Sequence, residues 1–167
     1  MLLSDSSIRA LLESGDVSIT PKPELERMQP ISVDLLFGDT WAKQIQGDDQ
    51  MFRWYSQEVI IQPGEFMLGC TRERIVLPRY VAAFVHGKST LARQGLMVEA
   101  AGLVDPGFEG TLTLELKNIG HRPLRLPAGS AACQITLHMT DMAVVRPYGT
   151  PGLNSHYQGQ EHAEPAR

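Results

Sequence analysis

The sequence holds only two cysteines in 167 residues, Cys70 and Cys133, and they lie far apart. They form no Cys-x-x-Cys pair, and no zinc-ligand spacing surrounds them. Two buried free thiols in a reducing cytosol are expected instead. The five histidines show no metal-ligand spacing either. His138 falls on an expected strand, His156 and His162 fall in the tail, and none reads as a metal ligand. Positive charge is not in excess: the net charge is −4. That argues against a general nucleic-acid surface, which needs a basic face. A small anionic ligand remains open, because a few local cations and backbone N–H groups suffice for it. No apolar run reaches membrane-spanning length, and the N-terminus lacks a basic-then-apolar pattern. The expectation is a cytoplasmic protein with no membrane partner. Aromatic residues make up 7% of the chain. Trp41, Trp54 and Tyr55 are read as core or interface aromatics rather than base-stacking platforms. No internal repeat is visible.

The length and the hydrophobic fraction of 43% suit one domain with a sizeable core. Ser4 or Asp5 can cap a short helix carrying Ile8, Leu11 and Leu12, which Gly15 then stops. Thr20-Pro21-Lys22-Pro23 cannot continue a helix. Strand-like segments follow: Ile31-Ser32-Val33-Asp34-Leu35, Val59-Ile60-Ile61, Phe66-Met67-Leu68, Val81-Ala82-Ala83-Phe84-Val85 and Gln134-Ile135-Thr136-Leu137. Pro63-Gly64, Pro106-Gly107 and Pro127-Ala128-Gly129 punctuate them. Many short strands at near-regular spacing predict an all-β sandwich or barrel. Residues 1–148 read as one β domain. Residues 149–167, rich in Gly, Pro, His and Gln, read as a flexible tail able to order over a ligand.

Thr111-Leu112-Thr113-Leu114-Glu115-Leu116-Lys117 alternates with period two, the pattern of a half-buried strand. Leu112, Leu114 and Leu116 share one face; Thr111, Thr113, Glu115 and Lys117 share the other. A carboxylate there is usually a solvated charge, and what precedes it makes it a candidate base. Gly87-Lys88-Ser89-Thr90-Leu91-Ala92-Arg93 resembles a P-loop but fails, since the required earlier glycine position holds Ala82. Its local physics still applies. Ser89 can cap a short helix near residues 89–94, ended by Gly95, whose first N–H groups attract an anion. Ser89 and Arg93, four apart, project from one side. In Asp105-Pro106-Gly107-Phe108, Asp is a favoured first turn residue. It can alternatively accept a hydrogen bond from a sugar hydroxyl. The preceding Ala100-Ala101-Gly102 has almost no side chain, so a flat ligand can approach the backbone. Asp34 is read as structurally paired.

Set in order, these segments resemble the dCTP deaminases of the trimeric dUTPase superfamily. The matching stretches are Gln29-Pro30-Ile31-Ser32-Val33-Asp34-Leu35, the run from Gly87 to Leu96, the run from Ala101 to Gly110, Leu114-Glu115-Leu116, Arg146-Pro147-Tyr148-Gly149 and Tyr157-Gln158-Gly159-Gln160. The resemblance implies a distorted jelly-roll (β-clip) fold, and a homotrimer with active sites between subunits. It also implies a nucleoside triphosphate bound with Mg²⁺, no zinc, and dTTP as an inhibitor. By similarity Glu115 is the general acid/base, Ser89 and the Ala101 carbonyl hold the attacking water, and Arg93 fixes Glu115. Lys88, Ser89 and Thr90 hold phosphates and Asp105 meets the deoxyribose 3′-hydroxyl. Thr113, Gln134, Tyr148, His156 and Gln160 line the nucleotide site.

Three departures stand out. The segment from Arg93 to Asp105 is one residue short, with Glu99 and Ala100 where His-x-Thr is frequent. His156 replaces a phosphate-binding lysine, a weaker contact unless protonated. Lys88 stands where arginine is common, keeping charge but losing the bidentate fork. The implied activity is hydrolytic deamination of dCTP to dUTP and ammonia. Three alternatives stay open: a bifunctional enzyme that continues to dUMP and pyrophosphate, a nucleotide-binding homologue without turnover, and a shifted base preference.

Overall fold

The computed structural model describes residues 1–44, 51–99 and 102–165. Helix α1 spans Asp5–Ser14 and helix α2 spans Ser89–Ala92. The strands are β1 (Ser18–Thr20), β2 (Met28–Gln29), β3 (Ser32–Gln44), β4 (Met51–Tyr55), β5 (Glu58–Ile61) and β6 (Phe66–Val76). They continue with β7 (Val81–Gly87), β8 (Leu96–Glu99), β9 (Leu103–Val104), β10 (Glu109–Asn118), β11 (Leu124–Pro127) and β12 (Ala131–Met139). One antiparallel sheet runs β8-β10-β6-β3-β12-β7-β9, with β1 on β6 and both β2 and β4 on β3; β5 and β11 form a separate pair. The mainly β fold with two short helices agrees with the sequence reading.

β10 shows how the sequence builds the sheet. Leu112, Leu114 and Leu116 are buried, while Thr113, Glu115 and Lys117 are partly exposed. Thr111, expected on the outer face, is buried, because the ladder to β6 shifts register between Thr111 and Thr113. The inner faces of β3, β7 and β12 add Val33, Leu35, Phe37, Ala83, Ile135 and Leu137 to the same core. Each such Leu, Ile or Phe contributes about 1.5–3 kcal/mol by leaving water. Trp41 is fully buried and donates its indole N–H to the Ser56 carbonyl at 3.0 Å. It is the core aromatic expected of it, whereas Tyr55 is 64% exposed. Both cysteines are free and buried.

α1 seats Ile8 fully in the core, and Gly15 follows it in the left-handed conformation. Ser4 occupies the cap position without a side-chain cap bond. α2 departs from expectation in the same detail. Lys88, not Ser89, is its cap residue, and no side chain caps it. Beneath β3, Glu73 is fully buried; it pairs with Arg27 and accepts the Leu36 N–H at 2.9 Å.

Candidate functional site

A concave cavity of about 430 Å³ opens beside β10. Its walls are largely apolar, with Leu68, Val104, Phe108 and Leu112 among them. Five residues singled out from the sequence line it: Asp105, Thr113, Glu115, Tyr148 and Gln160. They come from three places in the chain. Thr113 and Glu115 project from the outer face of β10, Asp105 stands at the turn after β9, and Tyr148 and Gln160 arrive with the tail. Apolar walls with a few convergent polar groups are what a small-molecule site requires.

The turn after β9 and the tail are built as one unit. Phe108 donates its N–H to the Asp105 carbonyl at 3.1 Å, closing the turn. Gly107 takes φ 91°, a conformation that favours glycine. Tyr148 N–H donates to the Pro106 carbonyl at 2.8 Å, and the Gln158 amide donates to the Gly107 carbonyl at 3.0 Å. The Tyr148 hydroxyl accepts the Tyr157 N–H at 3.1 Å, and its ring lies 5.8 Å from that of Phe108. These bonds fix the Tyr148 ring at the cavity.

Beyond Tyr157 the tail runs along β10. Gly159 N–H donates to the Glu109 carbonyl at 2.7 Å, and Thr111 N–H donates to the Gln160 carbonyl at 2.9 Å. The Gln160 side-chain amide donates to the Thr111 carbonyl at 2.6 Å; its Oε1 is buried with no partner among the described residues. Thr113 Oγ1 accepts the Glu164 N–H at 3.1 Å, so its hydroxyl serves the tail. Ala163 is fully buried beside Ala42, Leu68 and Cys70, and Arg53 pairs with Glu164 at 3.0 Å. Tyr157 and Glu164 also line the cavity, and the sequence reading missed both. The tail has no period that would mark them. His156 is exposed, its ring 6.3 Å from that of Tyr157.

The cationic segment forms a second half. Ser89, Thr90 and Arg93 are exposed on α2 and just after it. None of Lys88, Ser89, Thr90 or Arg93 lines the Glu115 cavity. Lys88 pairs with Asp34 on β3. Gln134 on β12 stands directly across from Asp34 and accepts the Ser32 hydroxyl at 3.4 Å. The structure thus groups Lys88 and Gln134 around Asp34, and it groups Asp105, Thr113, Glu115, Tyr148 and Gln160 in the cavity. Ala101 lies outside the described residues. Among the described residues no group of three or more His, Cys, Asp or Glu side chains is placed to hold a metal ion. No described helix is long and apolar enough to cross a membrane.

Burial pushes the Cys70 and Cys133 thiols up, so both stay protonated; for Cys133 the nearby Glu73 and Asp34 carboxylates add to the effect. Neither is a nucleophile for this site.

Comparison with known proteins places this architecture. A family model described as dCTP deaminase-like matches residues 2–140. The chain is 37% identical over 186 residues to a dCTP deaminase of Natronomonas pharaonis, covering all of this chain and 94% of that protein. It is 37% identical over 187 residues to a protein of Persephonella marina named "dCTP deaminase, dUMP-forming", covering all of this chain and 97% of the relative. Among solved structures, the dCTP deaminase of Agrobacterium tumefaciens superposes with a TM-score of 0.68 at 22% identity. That alignment covers 83% of this chain and 47% of the other, so the present chain spans about half of that protein. A dUTPase of phage phi11 of S. aureus superposes with a TM-score of 0.56 at 12% identity, over 78% of this chain and 94% of that one. At such identities the two structures speak to the fold alone. The match over residues 2–140 and the full-length similarity to the curated relatives establish that the chain belongs to the dCTP deaminase-like family.

Proposed function

We propose that this chain is a cytoplasmic, zinc-independent dCTP deaminase that converts dCTP and water to dUTP and ammonia. The observation that carries the reading is Glu115, held with Asp105, Thr113, Tyr148 and Gln160 around one largely apolar cavity. Glu115 takes a proton from water as that water adds to C4 of cytosine. It passes that proton to ring N3, then takes the second proton from the C4 hydroxyl of the adduct and hands it to the amine, so the C4=O bond forms as the C4–N4 bond breaks and ammonia leaves. General acid/base help of this kind is worth roughly a hundred- to ten-thousand-fold. Ser89 and the Ala101 carbonyl orient the water, and Arg93 holds Glu115 and meets developing charge. Asp105 takes the 3′-hydroxyl. Lys88, Ser89, Thr90, Gln134, Tyr148, His156 and Gln160 serve the remainder of the nucleotide.

The cationic segment does not line the Glu115 cavity of its own chain. We therefore assign the complete site to an interface in a homotrimer, one copy supplying Glu115 and a neighbour supplying Ser89 and Arg93. The tail, residues 149–167, closes over the nucleotide. Mg²⁺ arrives with the triphosphate, held by phosphate oxygens, and neutralises their charge when bound. The resemblance adds dTTP as an inhibitory ligand.

A second reading is bifunctional turnover to dUMP and pyrophosphate. It is favoured by relatives named as dUMP-forming, among them a 38% identical protein of Aquifex aeolicus. Incubation with dCTP and Mg²⁺ followed by chromatography separates the two: dUTP alone selects deamination, and dUMP with pyrophosphate selects the bifunctional course. Unchanged dCTP overturns both. Glu115→Gln is expected to abolish ammonia release and keep dCTP affinity within a few-fold; normal turnover by this variant would refute the acid/base role.

A further inference from the structure

Asp34 lies on the sheet face opposite the core and is only 8% exposed. The strand register aligns it with Gln134 on β12, and Gln134 in turn with His86 on β7. Lys88 follows two residues later and folds back, so that its ammonium pairs with one oxygen of the Asp34 carboxylate. The other oxygen, Oδ1, is buried and has no hydrogen-bond partner among the described residues. A buried carboxylate with one compensating bond concentrates its attraction in that bond. The pair therefore fixes a side chain that would otherwise sample many rotamers.

An ammonium has three N–H donors. With one committed to Asp34, two remain to meet an anion. Lys88 is itself the residue that replaces the usual arginine, and a lysine lacks the planar fork that pre-orders a guanidinium. A fixed counter-ion restores part of that order by another route, because a side chain already held in place loses less freedom when it binds.

We propose that Asp34 is a positioning residue that holds the Lys88 ammonium ready for the phosphates of the nucleotide. The inference rests on the nucleotide reading above and extends it to a carboxylate that acts through Lys88, its ion-pair partner. The direct test is calorimetric binding of inorganic tripolyphosphate to the full chain, its D34N and K88Q variants, and the double variant, at one ionic strength. D34N is expected to weaken binding about three- to tenfold, the range set by ordering one long side chain. In the K88Q background the same substitution is expected to change nothing. With dCTP, D34N should raise KM by a similar factor and leave kcat within about twofold, the pattern of lost binding rather than lost chemistry.

A residue serving only the fold would weaken binding equally in both backgrounds, and that additivity would overturn the inference. Tighter tripolyphosphate binding by D34N would also overturn it, making Asp34 a competitor of the phosphate. If D34N does not fold, D34E keeps the charge one methylene further out and is expected to show a smaller loss, again absent in K88Q. Wild-type turnover of dCTP without tripolyphosphate binding would remove the inference and leave the deaminase reading standing. Tripolyphosphate binding with the expected cycle but no dCTP turnover would do the reverse.

Discussion

Gly107 joins the turn beside the cavity to the segment that carries Tyr148, and Gly107→Ala tests that joint. A Cβ there would stand 2.5 Å from Pro147 Cβ and 3.0 Å from the Tyr148 nitrogen. Neither neighbour can withdraw freely, because Tyr148 is tied to Pro106 at 2.8 Å and to Tyr157 at 3.1 Å. Left-handed backbone at alanine costs about 1–2 kcal/mol, and forcing a methyl into filled space costs about 1–3 kcal/mol. The combined loss is roughly 2–5 kcal/mol. For a chain of this size each kcal/mol lowers Tm by about 2–4 °C, so calorimetry should show a fall of roughly 4–20 °C. Protein concentration must be held fixed, because association shifts Tm. Gly64→Ala is the control: φ is 77° there, but a Cβ meets nothing within 4 Å. It carries the backbone strain without the clash. Gly107→Ala should therefore melt well below Gly64→Ala and raise the KM for dCTP, since the Tyr148 ring is displaced. Equal melting of the two variants, or an unchanged KM in Gly107→Ala, would refute the reasoning.

Two more predictions follow from charges outside the cavity. Arg27→Met leaves Glu73 buried without its partner, and breaking such a pair costs about 3–5 kcal/mol; the double variant with Glu73→Leu should recover much of that in thermal melts, and a single variant as stable as wild type would contradict the pairing. The His138 imidazole titrates below its ordinary value of 6.5 because of burial first, then the Met1 ammonium and His86. The unfolded chain then takes up the proton before the folded one does, so stability is full above about pH 6.5 and declines as pH falls through that value. Melts from pH 8 to pH 5 should fall less steeply in His138→Gln than in wild type, and parallel slopes would reject the assignment.

Elements whose burial alternates were readable from the residues: β10 from its leucines, α1 from Ile8, Leu11 and Leu12, and the main turns from their Pro-Gly pairs. β4 and β8 escaped notice because edge strands bury too little to need alternation, and both Phe52 and Met97 are exposed. Only Phe66-Met67-Leu68 was legible of β6, which runs on to Val76 through Arg72, Glu73 and Arg74, a charged run that carries no apolar alternation even though Glu73 is fully buried. Asp34 was legible as a paired acid, but its partner lies 54 positions away and is chosen by the fold. Within the cavity, Thr113 and Glu115 follow from strand period. Tyr148 and Gln160 came only from family resemblance, since nothing local in the tail specifies where it docks.

The docking of residues 159–164 along β10 has a colloidal consequence. β6 occupies one side of β10 throughout, whereas β8 pairs only with residues 115–118 on the other. Without the tail, the stretch from Glu109 to Thr113 would present bare amides and carbonyls to any passing chain, the template on which sheets add foreign strands. Residues 159–164 fill that gap, so proteolytic clipping near Tyr157 is expected to open the edge to strand addition and aggregation beyond the trimer; unchanged light scattering after clipping would refute this.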